Sequence, residues 1–120
     1  MARPANKTDF TVDVEGVGRF VFGKREMADE IKIHVEYSRL TEAVTPTPWL
    51  DQVATWMSTL RVMTVRFPGG FDIDELDPLE DDTYQKLMKA HAAFLAKERS
   101  FRLNKGAAVE AGGASEGKDA

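Results

Sequence analysis

Residues 68–80, PGGFDIDELDPLE, constrain this chain more than any other stretch. Pro68-Gly69-Gly70 cannot continue a helix, because Pro lacks the N–H and Gly gives up backbone entropy. Asp77-Pro78 then reads as a helix start, with Pro at a position where its missing N–H is harmless. Strongly helical sequence flanks the segment on both sides, so the chain must turn here between two helices. The segment carries Phe71, Ile73, Leu76 and Leu79 to tuck down and a run of acids to face water.

The flanks follow the same logic. Thr47-Pro48 supplies an N-cap and a Pro at the first helical position. From there a helix is expected to about Val65, with Leu50, Val53, Met57, Leu60 and Thr64 on one stripe and Trp49, Trp56 and Met63 broadening it. So wide an apolar face implies packing against more than one element. After the turn, Asp77-Pro78-Leu79-Glu80 and Asp82-Thr83-Tyr84-Gln85 both fit N-terminal caps, and a short first turn running into the main helix reconciles them. That helix places Tyr84, Leu87, Met88, His91, Phe94, Leu95 and Phe101 at three- and four-residue spacing and is expected to end near Arg102.

Upstream, residues 9–25 read as a β-hairpin. Phe10, Val12 and Val14 alternate onto one face, Gly16 and Gly18 serve the turn, and Phe20 and Phe22 share a face on the return arm. An isolated hairpin is marginal in water, so its apolar face must lie on the helices or on another strand. Residues 25–43 are ambiguous. Met27, Ile31, Val35 and Ser38 recur at helical spacing, yet Ile31, Ile33, Val35 and Tyr37 also alternate as in a strand. Good helix-forming flanks and the length of the stretch favour a helix. The expected fold is therefore α+β: an N-terminal hairpin packed on about three helices over residues 9–103, with residues 1–8 a flexible N-terminus and residues 104–120 a disordered tail.

Composition narrows function by exclusion. The chain has 120 residues, no Cys, and 16 Lys and Arg against 20 Asp and Glu. That removes thiolate chemistry and disulfides, and a net charge of −4 offers no basic face for nucleic acid. The basic strip Lys97, Arg99, Arg102 and Lys105 reads as cations favoured by a helix C-terminus. No apolar leader and no bilayer-length apolar run are visible, so a cytoplasmic protein is expected.

Chemistry-bearing constellations are few. Asp72, Asp74, Glu75, Asp77, Glu80, Asp81 and Asp82 put seven carboxylates in eleven residues. An EF-type calcium loop starting at Asp72 would need an oxygen ligand at Leu76, a Gly at Asp77 and a Glu at Thr83, and the pattern fails. Helix capping, solvation or a docking surface for a basic partner are the remaining readings. His34 and His91 fall on different helices, with only Glu30 one turn before His34, and no metal site is expected. The serines lack a nucleophile turn. No catalytic set, cofactor site or metal site is read, and the chain is expected not to be an enzyme.

The string PGGFDIDELDPLEDDTYQKL, with EIKIHVEYSRLTE and TPWLDQVATWMSTLRVMTV before it and KERSFR after it, resembles the tail assembly chaperones of long-tailed phages and prophages. The resemblance spans residues 20–102. It implies a non-enzymatic protein that coats the long, aggregation-prone tape measure protein, helps to recruit tail tube subunits, and is absent from the finished tail. It also implies that a longer form can arise by frameshift beyond a tail such as residues 104–120. Binding would use reversible capture of amphipathic helices on the apolar faces of residues 48–65 and 82–102. The candidate contact residues are Trp49, Val53, Trp56, Met57 and Leu60, with Asp72, Asp74, Glu75 and Asp77 keeping the complex soluble and setting register. Competing readings are a structural virion component, such as a head–tail connector or tail terminator subunit, a small protein-binding adaptor, or a self-associating protein.

Overall fold

A computed structural model describes residues 3–112, with side chains through residue 104. The architecture is α+β, in the order β1 (Phe10–Val14), β2 (Gly18–Phe22), α1 (Met27–Thr41), α2 (Pro48–Met63), β3 (Thr64–Arg66) and α3 (Thr83–Gly112). The strands form one antiparallel sheet in the order β1-β2-β3.

The hairpin takes the expected register, with Phe10 opposite Phe22 and Val14 opposite Gly18. Val17 N–H closes the turn on Val14 O at 3.0 Å. Gly18 has φ 140°, and a Cβ there would lie 2.5 Å from Pro68 Cβ. Only a glycine lets the hairpin lie this close to the Pro68 stop.

The ambiguous stretch resolves as helix over Met27–Thr41. Glu26 N–H donates to Asp29 Oδ2 at 2.9 Å, satisfying one of the donors that a helix start leaves free. The end of α1 is closed by Glu42 and Ala43, both at positive φ (53° and 58°). Thr47 Oγ1 accepts the Leu50 N–H at 3.2 Å and starts α2 as expected. Its end differs from expectation: α2 stops at Met63, and Thr64–Arg66 pairs with β2 across a register shift. Two β-branched residues meet an open strand edge there, and sheet pairing outweighs one more helical turn. Gly23 N–H donates to Met63 O at 2.8 Å at the same junction.

Two boundary expectations are corrected. The N-terminal segment is tied down from Arg3: its N–H donates to Thr64 O at 3.3 Å, and its guanidinium pairs with the buried carboxylate of Asp29. A buried carboxylate needs a paired cation, and the N-terminal segment provides it. α3 passes Arg102 and continues to Gly112, because Ala107 and Ala108 favour helix and no proline intervenes. The remainder of the expected tail lies outside the described residues.

The core lies between the sheet, α2 and α3. Phe20, Phe22, Leu60, Met63 and Phe94 are fully buried. Phe22 sits 4.6 Å from Phe94 and Phe20 5.4 Å from Phe22, ring centre to ring centre, so the two arms of the sequence argument meet in one aromatic cluster. Phe71 and Ile73 tuck into it, as the turn segment requires.

Candidate docking surfaces

α1 has two apolar faces. Ile33 and Thr41 are buried against the body, while Met27, Ile31 and Val35 are 75%, 59% and 64% exposed. Spacing of four residues aligns these three along one side of the helix. They form an open apolar strip on the outer side of α1, flanked by Glu30, His34 and Ser38. His34 Nε2 lies 3.7 Å from Glu30 Oε2, the pair expected from their spacing. On the far side of that ridge a cleft of about 420 Å³ separates α1 from α2 and α3, with Ile33 and Leu95 among its apolar lining and His91 in its wall.

Arg25 organises the ridge. Its Nε and Nη2 bind the two oxygens of Glu98 at 3.0 Å each, and Nη1 reaches Glu30 at 2.7 Å. The hydrogen bond from Arg25 holds the Glu30 carboxyl below its ordinary value, against a smaller opposing effect of burial. Burial, and secondarily the positive charge of Arg25, push His91 below the usual imidazole value.

The expected contact residues on α2 divide. Trp49 is 58% exposed and stands 6.2 Å from the Tyr84 ring. Val53, Trp56 and Met57 are half-buried. Leu60 has no exposure at all and is corrected from contact residue to core. A broad stripe that meets both the sheet and α3 loses its central residues to packing.

The acidic segment does local work first. Asp72 Oδ1 accepts the Asp74 N–H at 3.0 Å, and Asp77 Oδ1 accepts the Leu79 N–H at 2.9 Å. Asp74 pairs with Arg61 at 2.7 Å, and Arg61 also binds Glu36, so the segment is fastened to α2 and α1. Glu75 projects to solvent. Trp49 and the four acids do not converge with the α1 strip on a single site.

From the sequence, Met27, Ile31, Val35 and Ser38 read as the apolar stripe of this helix, with Tyr37 and Leu40 widening it; in the structure Met27, Ile31 and Val35 face outward and Ile33, outside that stripe, is the buried one. Nothing in the pattern alone says which side packs inward. Among the described residues no three His, Asp or Glu side chains converge on a point where a metal ion could sit, and no helix is long and apolar enough to cross a membrane. Comparison with family models, with curated proteins and with solved structures finds no match to this chain.

Proposed function

We propose that this chain is a non-enzymatic binding protein that captures amphipathic helices, acting as a tail assembly chaperone for a phage tape measure protein and for tail tube subunits in the cytoplasm of the bacterial host. The observation that carries the reading is the open apolar side of α1, Met27, Ile31 and Val35, bordered by the ridge of Glu30 and His34. An apolar strip along a helix suits a second helix laid against it with residues four apart as anchors. Exposed Trp49 offers a further apolar contact on α2. The resemblance of the segments quoted above supplies the identity of the partner.

Co-expression with the tape measure protein encoded nearest to this chain tests the reading. Affinity capture followed by sizing should yield a soluble complex, and Ile31→Asp with Val35→Asp should abolish it without disturbing the fold. A discrete closed ring formed by this chain alone, with no capture, would favour a structural virion component instead. A monomer that captures nothing would end the phage reading.

A further inference from the structure

The two ends of α3 carry complementary surfaces. At its start, the turn formed by residues 77–82 holds Leu79 out at 89% exposure, flanked in sequence by the exposed Asp77, Glu80, Asp81 and Asp82, the last of which pairs with Lys86 at 3.5 Å. A leucine so presented is anchored by the Asp77 side chain, which fixes its N–H, and by Glu80 N–H donating to Asp77 O at 3.1 Å. Toward the other end, a shallow cleft of about 310 Å³ lies beside the paired rings of Phe10 and Phe101, where the hairpin meets α3, with Lys24 and Arg102 on its rim. The two rings meet edge to face at 4.9 Å, and Lys97 Nζ stands 5.8 Å from the Phe101 ring. The one carboxylate in the cleft, Glu98, is already held by Arg25.

The helix dipole does not explain the cations. α3 continues beyond Arg102 to Gly112, so Lys97, Arg99 and Arg102 lie in its interior instead of at its C-terminus. They stand as a local basic rim on a chain of net charge −4. Thr83 and Arg102 are separated by about 28 Å along the helix axis. The turn and the cleft of one molecule therefore cannot meet.

We infer that the turn of residues 77–82 in one copy seats Leu79 in the Phe10–Phe101 cleft of a second copy, with its carboxylates against Lys24, Lys97 and Arg102. The two halves are complementary in polarity: an exposed leucine among acids, and an aromatic pair bordered by cations. The contact joins two different surfaces, so it propagates head to tail and does not close on itself as a two-fold dimer does. One side chain and a few ion pairs bury far less than the roughly 800 Å² per partner of a stable interface. Association is accordingly weak, concentration-dependent and suppressed by salt. This inference is independent of what the α1 strip binds.

Sedimentation velocity on the full chain, over a concentration series at low and high sodium chloride, tests it. The wild type should form short oligomers that dissociate at high salt. A turn variant (Leu79→Ser, Glu80→Lys, Asp81→Lys) and a cleft variant (Lys24→Glu, Lys97→Glu, Arg102→Glu) should each be monomeric. Mixed in equal amounts, they should form 1:1 dimers and nothing larger, since the turn of one still fits the cleft of the other and neither can extend. The substituted residues are all exposed, and circular dichroism should show unchanged helix content. Leu79→Ser alone, which keeps every charge, should weaken association about tenfold. A wild type monomeric throughout, association untouched by either variant or by Leu79→Ser, or variants that lose association and fail to complement would each overturn the inference.

Discussion

At the scale of single residues, Gly18 carries the heaviest constraint. Its φ of 140° lies where side chains are rarely tolerated, and a Cβ would run into the Pro68 ring at 2.5 Å. Gly18→Ala should therefore cost about 1–3 kcal/mol in denaturant unfolding, from backbone strain and from forced separation of the hairpin and the Pro68 stop. Gly18 was legible from the sequence as a turn glycine, but its contact with a proline fifty positions away was not. Arg25 and His91 set a second residue-scale test. Burial and Arg25 depress the His91 pKa from its ordinary value of 6.5, and Arg25, Glu30, His34, Tyr37 and Asp51 are the titratable groups that share its cleft. In the unfolded chain His91 takes its proton near pH 6.5, while the native chain takes it only at lower pH. Stability must then fall as pH drops from 6.5 toward the native value. The Glu30 carboxyl, depressed by Arg25, adds a loss in the same direction only below its ordinary value of 4.5. Melting temperature measured from pH 7 to 5 should decline in the wild type, and His91→Gln should flatten that decline.

The elements differ in how openly the sequence declares them. The N-cap of α2 and the period-two arms of the hairpin each depend on chemistry within a few residues, and each stands where local reasoning puts it; Pro68-Gly69-Gly70 does not end α2, which has already stopped at Met63. β3 was hidden because Thr64 and Val65 fit the α2 stripe equally well, and only the neighbouring edge of β2 decides between helix and strand. The end of α3 was hidden because a Gly/Ala-rich polar stretch carries no periodic signal, yet alanine sustains a helix already started. The orientation of α1 was hidden for a third reason: β-branched residues recur at both helical and strand spacing, and once the helix forms it buries Ile33 and leaves Ile31 and Val35 outside. That assignment can be checked directly. Ile33→Ala should cost about 2–4 kcal/mol through lost burial and a cavity. Ile31→Ser together with Val35→Ser should change stability by no more than about 0.5 kcal/mol, since both side chains already face water. Reversal of that order in urea unfolding would put the opposite face of α1 against the body.

Over the whole molecule, stability is unevenly shared. The sheet, α2 and α3 interlock through Phe20, Phe22, Leu60, Met63 and Phe94, each buried from several sides. α1 packs chiefly on α2, contributing Ile33 to the core, and is otherwise fastened by ion pairs: Arg3 to Asp29, Arg25 to Glu30, and Glu36 to Arg61. The Arg25–Glu30 pair is partly exposed and contributes little net free energy. The buried Arg3–Asp29 pair sets the desolvation of Asp29 against its attraction to Arg3. Neither matches the buried apolar area of the core. α1 should therefore open as a unit at a free energy well below global unfolding, while the three strands and the central turns of α3 open only with the whole chain. Native-state hydrogen exchange should show amides of residues 31–41 exchanging in one cooperative step ahead of those around Phe22, Leu60 and Phe94. A helical partner seated on Met27, Ile31 and Val35 would bind only the closed form, so it should slow exchange in α1 selectively. Equal protection of α1 and the sheet would show that the ion pairs hold the helix as firmly as the aromatic core holds the rest, and a partner that leaves α1 exchange unchanged would have to bind elsewhere.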